Sequence, residues 1–334
     1  MKRKAIISAE NIEIGYIKSK QSLYRNLSFD LYQGELVCLL GANGAGKSTL
    51  LRSISTSQPL LNGKIFFNNK DISTYSDKKL SQMMGLVLTD KTSSGGLLVR
   101  ELVELGRYPY TGFFGQLNKL DKEIVEKAMS DVCILHKADS YVAELSDGER
   151  QKVMIAKALA QECPIVILDE PTAFLDIESR IEIMNLLHYL AMNQNKTILL
   201  STHDIDIALL LADRLWLLSK EKGLVSGVTE DVILSGQLDN FFGSGNVVFN
   251  RESGNFLPNR LSNKKVFLKT ENHLFHWAKN MLERNGFAIT DNETDGLFTL
   301  IVSSNCLITI EKDKTLENFS SFEEFAYWLK NTEY

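Results

Sequence analysis

Cysteine is scarce and unpaired in this chain of 334 residues: Cys38, Cys133, Cys163 and Cys306 are widely separated, and no Cys-x-x-Cys occurs. That spacing excludes zinc ribbons and dithiol redox motifs, and a reduced, cytosolic setting is expected. No apolar run approaches the roughly 18 residues of a spanning helix, and the start lacks the apolar core of a signal peptide. Any membrane role is therefore expected to be peripheral. Positive charge is also in deficit, with 37 Lys and Arg against 42 Asp and Glu. The only basic cluster is Met1 to Lys4, which argues against a protein held on nucleic acid by bulk charge. Internal repeats and low-complexity tracts are missing. Apolar residues are plentiful at 44%, enough for a sizeable core, and the length suggests two or three domains.

Alternating residues from Ala5 to Asp30 predict short, half-exposed antiparallel strands. Glu35 to Leu40, Ile165 to Glu170 and Thr197 to Thr202 are instead continuous apolar runs, the pattern of parallel strands covered on both faces. The fold class expected is α/β. Helix-like segments around Leu97 to Leu105 and Asp121 to Asp131 suggest a helical subdomain inserted at about 91–160. After residue 241 the text turns rich in Gly, Asn and Ser, reading as a linker over 242–263 before a small α/β unit at 264–334. In that unit strands are expected at Lys265 to Lys269, Phe298 to Val302 and Cys306 to Ile310. Leu274, Trp277, Ala278, Met281 and Leu282 form a helical stripe, and Ser321 with Glu324 caps a second helix.

Four short stretches carry chemistry. Gly41 to Ser48, "GANGAGKS", matches G-x-x-x-x-G-K-[ST] between a predicted strand and a helix. Its run Gly41, Ala42, Asn43, Gly44, Ala45, Gly46, with Lys47, Ser48 and Thr49, is expected to bind a triphosphate. Backbone N-H groups curl round the β-phosphate, Lys47 reaches the β and γ oxygens, and Ser48 offers its hydroxyl to Mg2+. Asp169, ending a buried strand, supplies the second metal-side oxygen, and Glu170 beside it is the candidate for activating water. His203 ends another buried run at the same sheet edge. Finally, "LSDGE", Leu145, Ser146, Asp147, Gly148 and Glu149, reads as an S-x-x-E capping box opening a helix that Pro164 stops. Capping does not require Gly148 there, whereas close approach of a phosphate would.

These motifs, with Asp176 in "AFLD" and "STHD" around His203, resemble in their order the ATP-binding cassette ATPases over Ala5 to Phe241. The resemblance implies a head-to-tail dimer in which the LSDGE turn of one copy closes over the ATP held by the other. It also implies an adenine-stacking role for Tyr16, an interface role for Asp176, a γ-phosphate switch at His203, and ATP and Mg2+ as ligands. Two positions depart from the family. Thr89 and Asp90 stand where a metal-touching glutamine is usual, so an oxygen of one of them would take its place, with Thr89 the candidate magnesium ligand. Asp147 replaces a glycine, so its side chain is expected to point away from the nucleotide.

Val99 to Gly112, with the LSDGE helix, resembles the ATPases of bacterial importers for ferric siderophores, haem or cobalamin, and an exposed aromatic and arginine cluster at Arg107 to Tyr110 would suit docking. The partners so implied are a second copy, an integral membrane permease and an upstream substrate-binding protein, with no nucleic acid. An export ATPase and a soluble, non-transport cassette are the alternatives. His273 and His276 invite a metal reading, but no third ligand stands nearby.

Overall fold

The three continuous apolar runs occupy the middle of a six-stranded sheet, in the order Gly223–Val228, Arg214–Ser219, Leu36–Leu40, Thr197–Ser201, Ile165–Asp169, Met84–Val87. Five of these strands are parallel, and Gly223–Val228 pairs antiparallel with Arg214–Ser219. Every residue of Leu36–Leu40, Ile165–Asp169 and Thr197–Ser201 is buried. Each large aliphatic side chain so covered contributes about 1.5–3 kcal/mol.

The structure, a computed structural model, describes residues 4–16, 21–88, 96–112, 115–243, 247–251, 254–259, 262–303, 307–312 and 315–332. Thr89, Asp90 and Cys306 lie outside the described residues. The chain divides into two units, Met1–Phe242 with Arg251–Asn255, and Gly243–Asn250 with Phe256–Tyr334.

In the first unit a second, antiparallel sheet joins Ala5–Tyr16 to Gln21–Tyr32 on one side and to Asn62–Phe67 on the other. Its inner face, with Ile7, Ile14, Phe29 and Leu31, packs in one core with Trp216 of the parallel sheet, and the Phe29 and Trp216 rings lie 4.6 Å apart. Among the described residues, three α-helices, Val99–Glu104, Lys119–Asp131 and Asp147–Ala160, lie between the strands Met84–Val87 and Ile165–Asp169. Lys119–Asp131 starts earlier than the apolar pattern suggests because Asn118 and Asp121 make a capping box. Asp147–Ala160 ends ahead of Pro164, where Glu162 adopts a left-handed φ of 53°. Among the described residues no helix is long and apolar enough to cross a membrane.

The second unit has its own five-stranded sheet, ordered Ala288–Thr290, Lys265–Thr270, Thr299–Val302, Ile308–Lys312, Thr315–Phe319. Helices Asn272–Arg284 and Phe322–Asn331 share a core with it around Val266, Leu282, Leu300, Ile308 and Phe325. Two expectations need correction. The predicted strand at Cys306 to Ile310 lies at Ile308–Lys312. Trp277 is not in the core but 65% exposed. Successive helical residues turn by about 100°, and the core face centres on the fully buried Ala278 and Leu282, which leaves Trp277 at the rim.

Candidate active site

The turn Gly41 to Gly46 leaves the carboxyl end of Leu36–Leu40 and enters helix Lys47–Ile54. The N-cap is Gly46 at φ 94°, and no side chain caps the first amides. An added Cβ at Gly46 would be strained and would sit 3.2 Å from Tyr24 Cε2. Tyr24, on the antiparallel sheet, donates its hydroxyl to the Ala45 carbonyl and so fixes the turn from outside it. Ala42, Asn43 and Gly44 are exposed while Ala45 is buried. A triphosphate fits such a cradle, because uncapped amides and the positive end of the helix dipole both favour anions. Tyr16 is half-exposed beside it, its hydroxyl 3.4 Å from Thr49 Oγ1. Ser48 is partly exposed at the helix start.

Lys47 is buried, and its Nζ donates to the Gly41 and Ala42 carbonyls at 3.0 and 3.4 Å. His203 Nε2 lies 3.1 Å from that nitrogen and 2.7 Å from Glu170 Oε1, which is itself 3.9 Å from Lys47 Nζ. An ammonium only donates and a carboxylate only accepts. Nε2 can therefore serve one neighbour at a time: bearing hydrogen it donates to Glu170, and without it it accepts from Lys47. Burial lowers the Lys47 pKa, opposed by the charges of Glu170 and Asp169.

Asp169 is buried, and sheet register sets it opposite Ser201. The Ser201 hydroxyl donates to Asp169 Oδ1 at 2.7 Å and accepts the Glu170 N-H at 2.9 Å. Glu170 has φ 49°, a left-handed conformation costing on the order of 1–2 kcal/mol for a residue with a side chain. Ser201 steadies both acids. Sequence reasoning missed it, and its one signal was a hydroxyl closing the buried run "TILLS".

The LSDGE turn is built differently. Leu145 is buried, whereas Ser146 and Asp147 are exposed. Ser146 Oγ accepts the Glu149 N-H at 3.2 Å, and Glu149 Oε2 accepts the Ser146 N-H at 2.9 Å. That hydrogen bond from the Ser146 backbone lowers the Glu149 pKa, against an opposing effect of burial and with help from Lys137 at 3.5 Å. The cap uses a lone pair of Ser146, so the hydroxyl hydrogen remains to donate outward. Asp147 pairs with Arg150 at 3.1 Å. A Cβ on Gly148 would meet Ser179 Oγ at 3.1 Å, so glycine also suits close packing within the chain. Asp176 caps helix Ile177–Gln194 through the Ser179 N-H at 2.8 Å, and that bond lowers its pKa. Among the described residues no hydrogen bond or ion pair links the Ser146 turn to Gly41 to Ser48.

Arg107 departs from the expected exposed cluster. It is 3% exposed, bonded to Asp121 at 2.9 Å, Glu162 at 2.7 Å and the Ala160 carbonyl at 2.8 Å, and it stacks on Tyr110. Partners distant in sequence draw it inward. Tyr108 stays 77% exposed and, with Leu105, Pro109, Lys157 and Gln161, lines a groove of about 710 Å³.

A family model described as ABC transporter matches residues 24–173, and one described as iron ABC transporter C-terminal domain matches residues 263–330. An uncharacterized ABC transporter ATP-binding protein of Methanocaldococcus jannaschii is 36% identical over 265 residues, 79% of this chain and 91% of that protein. The iron(3+)-hydroxamate import ATP-binding protein of Bacillus subtilis is 34% identical over 227 residues, 68% of this chain and 84% of that protein. A solved ATP-binding cassette, dimeric in a post-hydrolysis state with ADP and Pi, has a TM-score of 0.58 at 25% identity, covering 67% of this chain and 98% of its own. The chain belongs to the ATP-binding proteins of ABC transporters and is an ATPase of the P-loop cassette fold.

Proposed function

We propose that this chain hydrolyses ATP for an importer of a ferric chelate, as a homodimer on the cytoplasmic face of the membrane with a separate permease and an upstream substrate-binding protein. The observation carrying the enzymatic part is the convergence of Lys47, Glu170 and His203 within 4 Å at one sheet edge. Lys47 and the uncapped amides of its helix bind the phosphate oxygens. Glu170 accepts the proton of the attacking water, and His203 Nε2, bonded to it, orients the carboxylate. Ser48 and Asp169 would hold Mg2+, which supplies charge to the phosphate oxygens when bound. Ser146 and Gly148 offer a hydroxyl and an amide to the ATP of the second copy, across an interface that includes Asp176. Tyr16 stacks on adenine.

The cargo reading is supported by the name of the Bacillus relative and by the iron-transport description of residues 263–330. The groove beside Tyr108 is the surface proposed for the permease, since aromatic residues at a concave rim suit protein docking. The unit after residue 242 stabilises the dimer or tunes its closure.

Glu170→Gln tests this reading. Nucleotide affinity should stay near wild type while turnover falls by about 10²–10⁴-fold, with ATP driving the variant to a dimer by light scattering. Cells carrying only this variant should lose uptake of radiolabelled ferric hydroxamate. Hydrolysis near the wild-type rate would remove Glu170 from the proposed role, and unchanged uptake would remove the cargo.

A further inference from the structure

We propose that Asp204 is a positioning residue for ATP hydrolysis, its carboxylate fastening the His203 turn to the turn between Glu170 and Asp176 so that His203 and Asp176 are held as one body. The proposal rests on the roles given above to His203 and Asp176 and adds the connection between them. Asp204 stands at the N-cap of helix Ile205–Leu211, where aspartate ordinarily accepts a first-turn amide, yet it makes no such bond. Both oxygens are turned to other elements. Thr172 donates its hydroxyl to Oδ2 at 2.6 Å, and Arg180 Nη1 donates to Oδ1 at 2.8 Å.

Each partner leads to the chemistry. Thr172, buried, is two residues after Glu170, and its carbonyl accepts the Leu175 N-H at 3.3 Å. Arg180 Nε donates to the Leu175 carbonyl at 2.8 Å, so one guanidinium spans the Asp204 carboxylate and the residue before Asp176. Arg180 also follows Ser179, whose amide Asp176 accepts. On the other side, Asp204 N-H donates to Thr202 Oγ1 at 3.0 Å and Ile205 N-H to the His203 carbonyl at 3.0 Å, pinning the backbone on both flanks of the imidazole. The carboxylate thus closes a circuit from His203 through Arg180 to Leu175 and back through Thr172. Charge-assisted bonds of this kind are short and directional, which suits transmitting position.

The test is steady-state ATPase kinetics of Asp204→Asn, His203→Ala and the double variant, with nucleotide binding measured separately. Asn keeps the shape but weakens the bond to Arg180. Turnover should fall by about 10-fold to 100-fold, the scale of a misplaced catalytic group, with KM for ATP and nucleotide affinity within about twofold of wild type. In the His203→Ala background the same change should cost less than about twofold, because Asp204 acts through the imidazole. A fully additive double variant, or Asp204→Asn at wild-type turnover, overturns the proposal, as does a lower Tm with unchanged turnover. Should Asp204→Asn fail to fold, Thr172→Val removes one of the two bonds, and the same non-additivity with His203→Ala is expected; wild-type turnover there overturns it. If His203→Ala itself hydrolyses ATP normally, the role given to His203 fails first, and that result is distinct from the others.

Discussion

Helix Lys47–Ile54 begins on Gly46 with no side chain on its first amides, whereas helix Asp147–Ala160 begins on Ser146 with both halves of a capping box satisfied. The first turn holds its shape through distant contacts, such as Tyr24 on the Ala45 carbonyl and Lys47 reaching His203. The second is held by residues three apart. The difference teaches that the opening turn of a helix can be made in two ways: one keeps its amides uncommitted and relies on tertiary support, the other satisfies itself locally and has one hydroxyl hydrogen to spare. Such a turn keeps its geometry at a surface, where a second copy could meet it.

The widest gap between the two turns should open in a mixing experiment. Lys47→Ala and Ser146→Arg should each abolish hydrolysis alone. Equal amounts mixed should recover up to about a quarter of wild-type turnover, because random pairing makes half the dimers mixed and a two-fold dimer then has one intact composite site in two. No recovery above either parent would leave the turns as parts of one chain's site. A smaller effect is expected from Ser146→Ala, which loses the cap and the outward donor together. Stability should drop by about 1 kcal/mol in thermal melts, and turnover should fall on the order of 10-fold to 100-fold, the worth of a hydrogen bond to a charged group. Ser146→Thr should restore both; if it restores stability alone, the hydroxyl is a cap and nothing more.

The smallest effect is one of acidity. Glu149 has its folded pKa depressed below its ordinary 4.5, so the stability it lends is fully present above that value and is lost as pH falls through the lower, folded one. Protection of the first-turn amides of helix Asp147–Ala160 against hydrogen exchange should therefore weaken below pH 4.5, while the turn at Gly46, which has no capping carboxylate, should not follow. Equal loss at both would mean that the Glu149 carboxylate does not support its turn.

The same division explains what the chain reveals before it is folded. Buried strands, the S-x-x-E box and the phosphate turn are written in neighbouring residues, so periodicity and spacing disclose them. Ser201 on Asp169, Tyr24 on Ala45 and Arg107 on Glu162 join residues 32, 21 and 55 apart, and no local pattern marks such pairs. Arg107 therefore reads as a surface residue until Asp121 and Glu162 are brought to it. Edge strands such as Thr315–Phe319, exposed along nearly their whole length, have no apolar rhythm to give them away.

Arg107 has a mechanical meaning as well. Its guanidinium grips the Ala160 carbonyl at the far end of the helix that begins after Ser146, and Lys157 and Gln161 at that end line the groove. With 14 residues the helix is a rod about 21 Å long, so a tilt of about 10° about the gripped end swings the Ser146 hydroxyl through about 3.6 Å. That travel exceeds the length of a hydrogen bond. In the proposed assembly, a small push at the groove would thus be geared up into contact or no contact at the other end of the lever.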